Sequence, residues 1–297
     1  HIESILGKSG HGLKFQGNNV HIHHVPSIQS LAGDAHGILL QKCTGKLFDL
    51  TSVIGFKIGI VVEDSSDIEA IKIGESKGTT TFHGIDVISS RFYGRTITFK
   101  EDGNIGGSIA TFENVTFGGA LIGDHSSIKL SSCFVNGHIH LFDCSYDFLD
   151  TIGDGEQKNF RSSGTTRNYR QNATYHELPG NSIHTNLTVN GDVIVIGPKS
   201  SMEIESATFG ATVNMLQAVM KASNVTVSGT FTCTQSTVFH ENGSVGGKVT
   251  AISSTFHGKT SSYDGGLDGP SSSIQLDKCQ TAAVTLNTSA FEQRSGS

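Results

Sequence analysis

Tryptophan is missing from this chain of 297 residues, and proline occurs only 4 times. Scarce proline beside 36 glycines excludes a proline-rich linker or disordered tract and points to ordered strands joined by many turns. No CxxC or zinc-like spacing occurs among the 5 cysteines, so they read as packed free thiols and leave the redox compartment open. A basic excess is lacking too. The net charge of −6 and pI near 6.1 give no field for nucleic acid or an anionic membrane, and both partners are set aside. The most apolar run, Leu47 to Val62, is broken by Asp49 and Lys57 and falls short of the ~20 residues a spanning helix needs, so no membrane insertion is expected. GxSxG, HExxH, P-loop, dinucleotide and D-x-D-x-D-G signatures are absent, and no cofactor or metal is expected. The start at His1, without Met or a signal-like segment, reads as a processed or cropped domain.

What is present is one frame written many times. In Ser126 to Leu141, Ile128 and Leu130 stand two apart, Cys133 follows, then Val135, and Gly137 closes the unit. The period of two marks strand positions. The frame returns as Ile38, Leu40, Cys43; as Ile85, Val87, Ser90, Phe92, Gly94; and as Ala110, Phe112, Val115, Phe117, Gly119. Further copies are Met202, Ile204, Ala207, Phe209; Met220, Ala222, Val225, Val227, Gly229; Val249, Ala251, Ser254, Phe256, Gly258; and Ile274, Leu276, Cys279. Before the small slot stand Ser89, Asn114, Ser132, Ser206, Asn224 and Ser253, or Lys42 and Lys278. Ser and Asn suit a bend, because their side chains bond nearby backbone, and the closing glycine suits positive φ or a close backbone approach. Each copy is thus strand, bend, short strand, turn.

A repeat near 20 residues with variable loops means stacked coils that bury their apolar side chains only together. The expectation is an all-β chain: one right-handed parallel β-helix, a solenoid of roughly ten to twelve coils, filling residues 1–297. Variable spacing and the missing hexapeptide repeat count against a left-handed helix. Residues 1–35 read as a cap or first coils, 151–183 as a long loop insertion, 259–273 as a second loop, and 287–297 as a polar tail. On the frame alone, Cys43, Cys133 and Cys279 are expected on one ladder, and Phe92, Phe117, Phe209 and Phe256 in the core.

The runs H-G-I-L-L-Q-K-C and F-D-L-T-S-V-I-G-F-K-I-G-I-V-V resemble successive coils of right-handed parallel β-helices of the pectate-lyase-like superfamily. The opening S-I-L-G-K-S-G-H-G-L-K-F-Q-G-N-N and the phrase L-T-V-N-G-D-V-I-V-I-G resemble bacteriophage tailspikes and tail fibres. That resemblance implies a homotrimeric, extracellular receptor-binding protein on a virion tail that recognises a bacterial surface polysaccharide, and leaves open whether it also cuts it. A secreted or surface-displayed bacterial adhesin or structural stalk without catalysis is the alternative, favoured by absent Trp and the lack of a clear carboxylate pair. A polysaccharide lyase or glycoside hydrolase acting outside any virus is a third.

Asp143, Asp147, Asp150, Asp154 and Glu156 form the densest acidic group. Glycoside hydrolysis needs two carboxyls ~5.5 Å apart for retention or ~6.5 to 9.5 Å for inversion, which makes Asp143, Asp147, Asp150 and Glu156 the candidate catalytic residues; solvated loop carboxylates are the bland reading. Arg161, Arg167 and Arg170 offer bidentate contacts to acidic sugars, with Lys158 or an arginine as the basic group of a lyase. Tyr146, Tyr169 and Tyr175 are candidate sugar-stacking residues. The pairs His21/His23 and His138/His140 place two rings on one strand face but bring no third metal ligand. The sequons at Asn114, Asn172, Asn186, Asn224, Asn242 and Asn287 are of the number a Ser/Thr-rich chain produces by chance.

Overall fold

The computed structural model describes residues 4–32, 35–55, 57–78, 83–160, 162–172, 175–178 and 182–294. No helix occurs among them, and every strand pairing is parallel. The chain forms two compact units, 1–155 and 156–297, each wound as a right-handed parallel β-solenoid, with about 13 coils in all. That count lies slightly above the ten to twelve expected, because the stretches read as loops are themselves coils.

One coil of the first unit shows the construction. Leu121–Asp124, Ser127–Ser131 and Phe134–Val135 are three strands separated by two corners. Leu121 pairs with Ile139, Ile128 with Tyr146 and Val135 with Gly153, 18 residues on in each case. At the corners the backbone turns through the left-handed region, at His125 (φ 48°) and Ser132 (φ 53°). Such a φ costs an L-residue roughly 1–2 kcal/mol, which hydrogen bonds to the next coil offset: the His125 N–H donates to Phe142 O at 2.9 Å and that of Ser132 to Leu149 O at 3.0 Å. All eight residues read from sequence as bends, Lys42, Ser89, Asn114, Ser132, Ser206, Asn224, Ser253 and Lys278, sit at positive φ.

The frame, however, fits both corners. Ile38, Ile85 and Val249 open copies that run from the first strand into the second, whereas Ala110, Ile128, Met202, Met220 and Ile274 open copies that run from the second into the third. The three cysteines therefore do not share a ladder. Cys43 follows a first strand, and Cys133 and Cys279 follow second strands in different units. All five cysteines are free and buried, and burial pushes the thiols of Cys133 and Cys233 up to about 11 and about 12.

Behind the first corner lies a buried column of hydroxyls. In the first unit the N–H of Cys43 donates to Ser66 Oγ at 3.0 Å, Ser66 N–H to Ser90 Oγ, Ser90 N–H to Ser108 Oγ, and Ser108 N–H to Ser126 Oγ, the last three at 3.1 Å. Each of Ser90, Ser108 and Ser126 turns its own proton to the carbonyl two residues back. The second unit repeats the device through Ala218, Ser236, Ser254, Ser272 and Ser289. A sharp corner takes an N–H out of the sheet ladder, and the small hydroxyl satisfies it where an unpaired group would cost about 1–3 kcal/mol.

The closing glycines are explained by contact, since Gly119, Gly137 and Gly155 have no positive φ and stack on one another. A Cβ on Gly137 would lie 2.5 Å from the carbonyl carbon of Gly119. Gly137→Ala is expected to destabilise the fold by about 1–3 kcal/mol through overpacking, whereas Gly106→Ala, whose Cβ meets nothing within 4 Å, is expected to be neutral. Chemical denaturation followed by circular dichroism compares them; equal effects would contradict the stacking.

Candidate functional site

The expected loop at 151–183 is a correction. Among its described residues it carries strands Ile152–Gly153, Gln157–Phe160, Ser163–Arg167, Arg170–Gln171, Tyr175–Leu178 and the start of Ser182–Val189. The alternation persists there, but its inward positions are polar. Gln157, Asn159, Thr166, Gln171, Ser182 and His184 are all buried in the second unit. Residues 259–273 are coil as well, with Tyr263 fully buried.

These polar side chains satisfy one another. Tyr169 Oη lies 2.7 Å from Gln157 Oε1 and also against Gln171 Oε1; a phenol has one proton, so one of the two amides presents its NH2 group. His184 holds Thr166 Oγ1 at Nδ1 and Ser182 Oγ at Nε2, both at 2.8 Å. A neutral imidazole has one donor and one acceptor, and hydroxyls serve either. Burial accordingly pushes the His184 pKa down to about 3.

Tyr169, 1% exposed, and Tyr146, 4% exposed and packed on Phe148 with ring centroids 4.9 Å apart, are core residues and present no face to a sugar. Arg161 lies outside the described residues, as does the side chain of Tyr175. Arg167 and Arg170 are exposed but flank the Asn168 corner, so they stand on different faces. Arg167 aligns with Thr185 on the second-strand face, and Arg170 donates to Asn172 Oδ1 at 3.0 Å.

The acidic group is dispersed. Asp143 (φ 50°) and Asp150 (φ 48°) are corner residues, a position that Asp tolerates. Asp147 points outward from the strand between them, beside Lys129 of the preceding coil. Asp143, Asp147 and Asp150 thus occupy the first corner, the second strand and the second corner of one coil. Asp143 Oδ2 is 3.6 Å from His125 Nε2, and Glu156 pairs with Lys158 at 2.9 Å.

A site that the sequence reading missed lies on the second-strand face of the second unit. Two outward columns run side by side: Ile183, Glu203, Lys221, Phe239, His257, Gln275; and Thr185, Glu205, Ser223, Glu241, Lys259, Asp277. The stretches from Ile183 to Phe239 and from Thr185 to Glu241 line a shallow concavity of about 560 Å3, floored at Ala222 and Ser223. Phe239 is 42% exposed and stacks on His257, with centroids 4.9 Å apart and planes 4° from parallel. Lys221 Nζ reaches Glu203 at 3.0 Å and Lys259 Nζ reaches Glu241 at 2.6 Å. The short side chain of Ser223 leaves the hollow; the longer Glu205 and Glu241 of the coils either side wall it.

Neither the family models nor the curated proteins compared with this chain give a match.

His184, behind this face, gives a pH test. Its folded pKa lies below the ordinary 6.5, so the unfolded chain binds more protons and stability is lost as pH falls below about 6.5. His240, also buried and lowered, adds in the same direction. Thermal melts from pH 7 to 5 are expected to show a declining Tm, with a smaller decline in His184→Gln; an equal decline would remove His184 from the cause.

Proposed function

We propose that this chain is a glycan-binding β-solenoid of the tailspike kind, recognising a bacterial surface polysaccharide through the second-strand face around Phe239. The observation that carries the reading is the exposed Phe239–His257 stack beside a hollow lined with carboxylates and hydroxyls. An aromatic face takes the apolar side of a sugar ring, and carboxylate and hydroxyl groups take its hydroxyls. Extracellular placement and a trimer accompany the reading through the tailspike resemblance alone.

Binding without cleavage is the form that this site favours. Of its carboxylates, Glu203 and Glu241 are held in ion pairs with lysines, which suits a fixed recognition surface better than a proton-transfer pair.

The test is binding to a panel of bacterial capsules and lipopolysaccharide chains, with chain length followed over time. Phe239→Ala is expected to weaken binding to the recognised glycan by about two- to tenfold, the scale of a lost aromatic contact, with Tm unchanged because the ring is surface-exposed. Undiminished affinity in Phe239→Ala would move the site elsewhere, and shortening of the glycan would make the protein an enzyme.

A further inference from the structure

Charge in the hollow is unevenly satisfied. Among the described residues, Glu203, Glu205 and Glu241 line it with a single lysine, Lys221. Lys221 is committed to Glu203, and Lys259 from the following coil to Glu241. The Glu205 carboxylate has no hydrogen bond or ion pair among the described residues, and its column neighbours are the neutral hydroxyls of Thr185 and Ser223. A carboxylate so placed is exposed and faces the hollow between two apolar groups, Ile183 at 52% exposure and Phe239. Arg167, the nearest basic residue up this column, stands beyond Thr185, two coils from Glu205.

An anionic sugar entering here meets an uncompensated negative charge, whereas a protonated amine meets its counter-charge beside a ring-stacking surface. Resting on the glycan reading above, we infer that the ligand is an amino sugar with a free, protonated amine, and that Glu205 is the residue that recognises it. Phe239 and Ile183 take the ring, Glu205 takes the ammonium group, and the two Lys–Glu pairs fix the walls. An uncharged N-acetyl group at the same position loses the ionic contact.

The experiment uses matched pairs: oligosaccharides rich in free glucosamine or galactosamine, and the same samples after chemical N-acetylation, titrated into the full chain at low and moderate salt. The free-amine member of a bound pair is expected to bind at least about tenfold more tightly, the scale of a charge-assisted hydrogen bond. Raising the salt is expected to shrink that advantage. Glu205→Gln is expected to abolish the difference between the two members of a pair while leaving Tm as it was. A bound pair indifferent to N-acetylation, or a Glu205→Gln protein that still discriminates, would overturn the inference and leave the glycan reading standing. If neither member of any pair binds while neutral or acidic glycans do, the inference falls alone; if no glycan of any kind binds, both fall.

Discussion

Parallel hydrogen bonding between coils governs everything else in this molecule. Strands stacked in register at about 4.8 Å place each side chain on the residue one coil away, so every position is judged by whether its column can be made of such residues. Serine succeeds behind the first corner because each hydroxyl takes an N–H from the preceding coil and returns a proton to its own strand. Glycine succeeds at the closing turns because nothing larger fits beneath the next backbone. The two left-handed corners are tolerated because their N–H groups are tied into the next coil.

The same rule explains the coils between Gln157 and His184. Inward-facing glutamine, threonine, tyrosine and histidine are compatible with burial once each polar atom finds its neighbour, and the Gln157–Tyr169–Gln171 and Thr166–His184–Ser182 groups do so. Beyond them the Thr166 and His184 column passes through Ile204 and Ala222 to a second buried histidine, His240.

The apolar coils were legible in sequence because their inward residues alternate and their bends are marked by Ser and Asn. Frame copies nevertheless fell on two different corners, since both demand a small residue after a left-handed one, and this is why Cys43 was wrongly aligned with Cys133. The polar coils were hidden because the period stayed while the chemistry changed. A trace was there: Thr166-Arg167-Asn168-Tyr169-Arg170-Gln171-Asn172 stands 18 residues before His184-Thr185-Asn186-Leu187-Thr188-Val189-Asn190, and Asn186 and Asn190 donate to Asn168 and Asn172 at 2.9 and 3.0 Å. Tyrosines assigned to a loop surface thereby became core. The hollow at Phe239 was not legible, because its walls come from Ile183, Glu203, Lys221 and Glu241, which only the register between coils brings side by side.

Amide hydrogen exchange tests this account most directly, because it reads the ladder residue by residue. The N–H groups of Asn168, Thr188 and Asn190 donate to Thr185, Tyr169 and Gln171 at 3.0 Å, as that of Val213 in an apolar coil donates to Thr230 at 2.9 Å. Slow exchange at all four amides is the predicted result. Fast exchange at Asn168, Thr188 and Asn190 with protection kept at Val213 would contradict it, and would return the 151–183 stretch to a loop.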